Sequence, residues 1–457
     1  MAAPTPTQAE MSPDALLDLD RRHVWHPFTQ MQVWPDDEPL IIERAEGNWL
    51  IDVHGRRFLD GVSSLWVTVH GHRRKEIDEA IRAQLDRVAH STLLGLANVP
   101  SILLAKELVD LVPDGLTRVF YSDSGSTSVE VALKMSYQYW LQRGRPEKAR
   151  FAALGEAYHG DTLGSVSVGG VDLFHSKFRG LLFPVERLPT PHAYRWTGDG
   201  DCLEGSLAAA EKLFQEKGRE LAAVIVEPLV QGAAGMLVQP SGYLRRLSEL
   251  CRKHEILLIC DEVATGFGRT GTMFAVEQEG VRPDFLCVAK GLTGGYLPLA
   301  ATITTDEVYS AFLGTVAEER TFFHGHTYTG NPLACAAALA NLEIFRREKT
   351  LDRMRPIIER LATHLAEIAR LEHVGEVRQR GMMIGIELVH DRATKAEFPY
   401  GDRVGHRVCL AARKHGVLLR PLGNVIVLMP PLSLTADEAD LLASALRKAI
   451  VEVTETG

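Results

Sequence analysis

ILLICDEVATGFGRTGTMFAVEQEGVRPDFLCVAKGLTGG, residues 256–295, is the stretch on which the fold turns. It holds two short apolar runs, ILLICDEV at 256–263 and DFLCVAK at 284–290. Each has the length and composition of a buried strand and carries an ionisable residue at its far end: Asp261 in the first, Lys290 in the second. Further strands are expected on either side, at 117–122, 149–154, 222–228 and 299–305. Between and around them, amphipathic helices are expected at 101–112, 127–143, 241–254 and 332–347. Strands alternating with helices predict an α/β fold around a mostly parallel, doubly wound sheet.

Outside this middle part the pattern changes. LIIERAEGNWLIDVHGRRFLDGV, at 40–62, reads as a β-meander with a turn near His54–Gly55. After residue 350 come a helix at 351–370, a strand pair punctuated by Gly381, and a helix at 402–415 stopped by Gly416. The strands VLLRP and VIVLMPP follow. A last helix opens at Thr435, where Glu438 completes a capping box. The expected organisation is a large domain over 70–340 and a smaller α+β one assembled from 1–69 and 341–457. No Pro/Gly/Ser linker separates them.

Composition narrows the function. The formal net charge is −9 and no long Lys/Arg run occurs, which argues against nucleic acid and anionic membranes as partners. No apolar stretch is long enough to span a bilayer, and the N-terminus lacks the basic-then-apolar order of a signal peptide. The first dozen residues read as a frayed tail. Cys202, Cys251, Cys260, Cys287, Cys335 and Cys409 form no CxxC pair. They read as buried free thiols of a cytoplasmic protein, with neither metal nor disulfide.

Three features carry chemistry. Asp261 lies at the carboxyl end of a sheet strand, where α/β proteins bind ligands; its plainer reading is a loop carboxylate or helix cap. Lys290 ends an apolar strand before a Gly-rich turn. Desolvation there lowers an ammonium's pKa and makes the amine a nucleophile toward carbonyls, although a lysine reaching for solvent reads the same way. Ser124-Gly125-Ser126 joins a strand to a helix, and a helix start with free N–H groups binds phosphate; Ser124 as a plain N-cap is the alternative. Together they suit one cofactor. An aromatic aldehyde needs a lysine, a pyridine nitrogen needs a carboxylate, and a phosphate needs a helix start: pyridoxal 5′-phosphate. Gly266, Gly268 and Gly271 match a dinucleotide fingerprint, but the segment after them is short and broken by Pro283, so no crossover helix follows.

Eight blocks cover nearly the whole chain: HVWHPFTQM (23–31), DGVSSLWVTVHGH (60–72), DSGSTSVEVALKMSYQYW (123–140), AYHGDT (157–162), CDEVATGFGRTG (260–271), AKGLTGGYLPL (289–299), FHGHTYTGNPLACAAA (323–338) and LLRPLGNVIVLMPP (418–431). In these blocks the chain resembles the class III, fold type I aminotransferases. Within that class it is most similar to the branch that transaminates 8-amino-7-oxononanoate to 7,8-diaminononanoate in biotin synthesis. The resemblance implies that Lys290 binds the cofactor aldehyde, Asp261 faces the pyridine nitrogen, Tyr158 stacks on the ring, and Gly125 and Ser126 hold the phosphate. It implies a homodimer in which Thr327, with Gly325 and His326 beside it, reaches the cofactor of the neighbouring subunit. Arg420 would bind the keto acid's carboxylate, Arg269 would lie near the amino donor, and Leu65, Trp66 and Asp161 would line the substrate pocket.

The chain departs from the best-known members at three places. Leu65-Trp66 stands where they carry a Trp pair, Phe28 where they carry Tyr, and His326 where they carry Pro. S-adenosylmethionine is the expected donor, and L-lysine is the alternative. An ω-amino-acid:pyruvate aminotransferase is a second reading on the same fold. A non-catalytic regulator would need a DNA-reading module, and no basic stripe or helix-turn-helix segment is left over. A glutamate-semialdehyde-type mutase leaves RPLGNVIVLMPP unexplained.

Overall fold

The computed structural model describes residues 11–455. The frayed tail expected at the start lies, but for its last two residues, outside the described residues. After a helix at Pro13–His23 come three strands, β1 (Ile42–Glu46), β2 (Trp49–Asp52) and β3 (Arg57–Asp60), in the antiparallel meander that the sequence suggests. The central sheet then takes β4 (Leu116–Ser122), β5 (Arg150–Leu154), β6 (Val185–Leu188) and β7 (Leu221–Val226). A small hairpin, β8 (Val230–Gln231) with β9 (Leu237–Val238), precedes β10 (Leu257–Asp261), β11 (Phe285–Val288) and β12 (Ala300–Thr305).

The central sheet runs in the order β4-β12-β11-β10-β7-β5-β6. All its strands are parallel except β12, which is antiparallel to both β11 and β4. Every residue of β7, β10, β11 and β12 is buried, as expected of strands covered on both faces. The helices Gly125–Gln142, Cys202–Lys217 and Tyr243–Lys253 supply covering layers.

In the last third, β13 (Val374–Arg380) and β14 (Met383–Leu388) form the strand pair around Gly381, whose φ is +61°. The expected single strand VLLRP is in fact two. β15 (Val417–Leu418) joins the meander, parallel to β3, whereas β16 (Arg420–Leu422) pairs with β17 (Val425–Leu428) in the β13-β14-β17-β16 sheet. The break at Leu419 sends one run of sequence into two sheets and places Arg420 at a sheet edge. The final helix, Ala436–Thr454, has Thr435 as N-cap in a capping box with Glu438. Glu438 also accepts hydrogen bonds from Asn48 and Trp49, so chain end and chain start are tied together. All six cysteines are buried and unbridged. No helix among the described residues is long and apolar enough to cross a membrane.

Candidate active site

The carboxyl ends of the parallel strands meet one cavity of about 780 Å³. Glu227 follows β7, Asp261 ends β10, and Lys290 lies two residues beyond β11. In the register, Asp261 pairs with Cys287, so Lys290 reaches further along the same sheet end than Asp261 does. From the other side comes Ser124, two residues after β4, as N-cap of the helix Gly125–Gln142. The antiparallel β12 brings its start rather than its end to this edge, and Pro298 and Leu299 close the cavity there.

Each strand-end group has a defined environment. Asp261 is buried; its Oδ2 pairs with His159 Nδ1 at 2.8 Å, and its Oδ1 accepts the Val263 N–H at 3.0 Å. Part of the Lys290 side chain is accessible from the cavity, yet burial of its ammonium pulls the pKa below the usual lysine range, against the opposing pull of Asp261 and Glu227. Its Nζ stands 4.8 Å from the centre of the Trp66 ring. Lys290 also has φ +44°, a left-handed backbone rare outside glycine. Glu227 accepts the N–H groups of Tyr158 (3.0 Å) and Gly232 (2.8 Å), and burial raises its carboxyl to about 7.

The proposed phosphate cradle has matching features. The capping box engages Thr127. The amides of Gly125 and Ser126, which a helix start leaves without intrahelical partners, border the cavity. A Cβ at Gly125 would come within 2.5 Å of Val263 Cγ1, so only glycine fits against the loop that follows Asp261. The Ser126 hydroxyl is already engaged by Thr162, through its N–H at 3.0 Å and its hydroxyl at 2.8 Å. Tyr158 faces the same space; its hydroxyl donates to Asp161 at 2.7 Å, and burial, with Asp161 beside it, raises its pKa. A lysine, a carboxylate and a helix start converging on an aromatic-walled cavity fit a pyridoxal phosphate cofactor.

Leu65, Trp66, Gly125, Ser126, Tyr158, Asp161, Asp261, Lys290 and Arg420 therefore share one cavity. Arg269 does not line it. Its guanidinium is buried, donating to Ser63 Oγ (3.2 Å), Pro430 O (2.7 Å) and Thr68 O (2.9 Å), so it holds backbone beside the site. Gly325, His326 and Thr327 also stand outside the cavity of their own chain, and His326 Nδ1 pairs with Asp123 at 2.9 Å. Sequence reasoning missed His159 and Glu227. Glu227 closes the apolar run AAVIVEP just as Asp261 closes ILLICD, and the same strand-end argument would have found it. His159 adjoins Tyr158 in AYHGDT.

Comparison with known proteins agrees with this geometry. The model of the class-III aminotransferases matches residues 31–450. The adenosylmethionine-8-amino-7-oxononanoate aminotransferase of Nitratidesulfovibrio vulgaris is 59% identical over 99% of this chain and 84% of its own length. Its namesake from Geobacter sulfurreducens is 55% identical over 96% and 98%. The crystal structure of the Methanocaldococcus jannaschii protein of that name superposes with a TM-score of 0.93 at 48% identity, covering 97% of this chain and 100% of that one. An amine transaminase from an uncultivated Pseudomonas species, solved with pyridoxal phosphate bound, gives 0.89 at 40% identity over 94% and 99%. With its strand-end lysine and carboxylate, its glycine-bounded helix start and a family match over nearly its whole length, the chain belongs to the class-III, pyridoxal-phosphate-dependent aminotransferases.

Proposed function

We propose that this enzyme transfers an amino group to 8-amino-7-oxononanoate, forming 7,8-diaminononanoate, with S-adenosylmethionine as donor. The observation that carries the reading is Arg420 on the wall of the Lys290 cavity, with Leu422, Val427 and Phe174 around the same space. An elongated keto acid has an apolar chain for such a wall and a carboxylate for the guanidinium. The names of the relatives at 59% and 55% identity support the same choice.

When bound, pyridoxal phosphate supplies an aldehyde that condenses with amines and a ring that accepts the electron pair freed at the substrate carbon. Lys290 would hold the aldehyde carbon and, once displaced by the donor amine, act as the base that moves the α-carbon proton. Its lowered pKa suits both tasks. Asp261, anchored by His159 and Val263, would keep the ring nitrogen protonated. Tyr158 would cover one ring face, and Gly125 and Ser126 would donate backbone N–H groups to the phosphate. Asp161 and Trp66 would flank the substrate. Arg269 would lie near the amino donor, behind the Ser63 and Thr68 segment it holds.

The frame for this chemistry is a large domain over 70–340 and a smaller one from 1–69 and 341–457. We place the enzyme in the cytoplasm as a homodimer. Leu94, Leu96, Val99, Ile102 and Phe323 are all more than half exposed, and a Cβ at Gly325 would lie 3.3 Å from Leu94 Cδ2. A second copy covering this apolar surface would bring Thr327 and His326 to its neighbour's phosphate site.

Phe28 and Leu65 favour a second reading of the donor. Both line the cavity where the best-known relatives carry Tyr and Trp, which leaves room for L-lysine or for a small amine donor with pyruvate. Purified holoenzyme would be given 8-amino-7-oxononanoate with S-adenosylmethionine, L-lysine or alanine, and the diamine measured. Product with S-adenosylmethionine is expected. Product with lysine alone would reassign the donor, and no product with any donor would overturn the reaction. Lys290→Ala should lose both turnover and the visible absorbance of the lysine-bound cofactor.

A further inference from the structure

Ser63, Ser64, Leu65 and Trp66 have φ of +50°, +48°, +72° and +70°, four consecutive left-handed residues with no glycine among them. They close as a turn. The Trp66 N–H reaches Val62 O at 2.8 Å, and the N–H groups of Val67 and Thr68 both reach Ser63 O at 3.1 Å. L-residues adopt this conformation singly in turns and almost never in series, so the surroundings must impose it.

The imposing contacts centre on Asp60, which is fully buried. Its Oδ1 accepts the Ser64 N–H at 2.9 Å, and its Oδ2 accepts the Ser64 hydroxyl at 2.7 Å and lies 3.0 Å from His72 Nε2. One carboxylate thus fixes the backbone and side chain of the second residue of the reversal. Ser63 Oγ donates to Met429 O, and Arg269 grips Ser63 and Thr68 from the far side. Gly295 packs so closely that a Cβ there would lie 2.9 Å from Thr68 N. The turn delivers two side chains: Leu65 to the cavity wall and the Trp66 ring to the Lys290 ammonium.

We propose that Asp60 is a positioning residue of the amino-transfer site, acting through this left-handed turn to hold Trp66 against Lys290 and Leu65 on the cavity wall. Asp60 itself does not line the cavity. The proposal rests on the reading of Lys290 as the amine-handling lysine, and it is independent of which donor or keto acid is used.

A double-mutant cycle tests it, with Asp60→Asn, Trp66→Leu and the pair compared as holoenzymes. The first readout is the pH midpoint of the bound cofactor's visible band, which needs no substrate. An aromatic face is worth about 0.5–1 kcal/mol to a nearby cation, so losing its placement should lower the midpoint by roughly half a unit. Asp60→Asn and Trp66→Leu should each produce that shift, and the pair no more than either alone. The second readout is steady-state kinetics with the best donor. Asp60→Asn should lower kcat about tenfold in the native background and less than twofold in Trp66→Leu, with cofactor affinity within about threefold of native. Equal effects of Asp60→Asn in both backgrounds, or none in either, would overturn the proposal. If Asp60→Asn folds poorly, Ser64→Gly is added, since glycine takes the left-handed conformation freely. Recovery of the native midpoint in Asp60→Asn/Ser64→Gly is then expected, and folded protein with an unrecovered midpoint counts against the turn as the route. Absence of any lysine-bound absorbance in the native protein would instead sink the Lys290 assignment.

Discussion

Gly125→Ala separates a cofactor cradle from an ordinary helix start. Gly125 is the first residue of the helix Gly125–Gln142, a position where alanine is intrinsically better than glycine by up to about 1 kcal/mol. On local propensity alone the variant should be neutral or slightly more stable. The structure predicts otherwise for the cofactor. A Cβ at this position would meet Val263 Cγ1 at 2.5 Å and Cγ2 at 2.9 Å. Ordinary carbon contacts are about 3.5–4.0 Å, so one of the two segments must move by about 1 Å. Val263 is not free to yield, because its N–H holds Asp261 Oδ1 at 3.0 Å. Either the helix start retreats from the phosphate or the Asp261 anchor is pulled aside.

Losing one charge-assisted hydrogen bond costs about 1.5–3 kcal/mol, which corresponds to about a 10- to 150-fold rise in Kd for pyridoxal phosphate. Fluorescence titration of the apoprotein measures it, with the urea midpoint of the same apoprotein as control. Val263→Ala removes the obstructing methyls, so the double variant should return to within about threefold of native affinity. Unchanged affinity in Gly125→Ala would refute the cradle. Lost affinity that Val263→Ala leaves unrestored would refute the steric route.

Two further predictions concern stability. Burial lifts both Glu227 and Glu262 to about 7, while an exposed glutamate titrates near 4.5. The folded apoprotein therefore holds more protons than the unfolded chain between those values, and its stability should fall as pH rises from about 4.5 to 7. Differential scanning calorimetry of the apoprotein should show a flatter profile in Glu227→Gln and in Glu262→Gln; curves parallel to native would count against the buried-proton account. Lys148 is almost wholly buried and donates to Gly218 O (2.9 Å), Leu221 O (3.1 Å) and Glu255 O (2.7 Å) above the Trp140 ring. Lys148→Met strands three carbonyls and should cost about 3 kcal/mol or more in urea unfolding, with KM and cofactor affinity of the folded enzyme unchanged.

Legibility in the sequence followed the physics of each element. Strands buried on both faces write themselves as apolar runs, so β7, β10, β11 and β12 could be read with their functional ends. Direction leaves no such trace: LAATITT looks like its parallel neighbours, yet β12 runs against them because its connection returns from the Gly-rich loop after Lys290. VLLRP reads as one strand because an apolar run does not announce a change of partner at Leu419. Arg269 sits in a Gly-rich segment that resembles an exposed loop, and its burial depends on carbonyls of Thr68 and Pro430, far away in sequence. The left-handed turn at 63–66 lacks the glycine that usually signals positive φ; its cause, the buried Asp60 carboxylate, is visible only once residues 60 and 64 are seen in space.

Glu227, Asp261 and Lys290 sit at or just past the ends of adjacent buried strands, so the chemistry of amino transfer is fixed by the buried central sheet. Phe28, Leu65 and Arg420 come from the N-terminal arm, the left-handed turn and a short edge strand, elements that meet the cavity from outside the central sheet. Replacing any of these three leaves the Asp261–His159 pair and the Lys290 strand end untouched. Donor and acceptor preference can therefore shift without loss of the chemical step, whereas no substitution at a strand end can redirect the substrate and spare the chemistry. The departures at Phe28 and Leu65 fall on the changeable side of that line, and Lys290, Asp261 and Gly125 on the other.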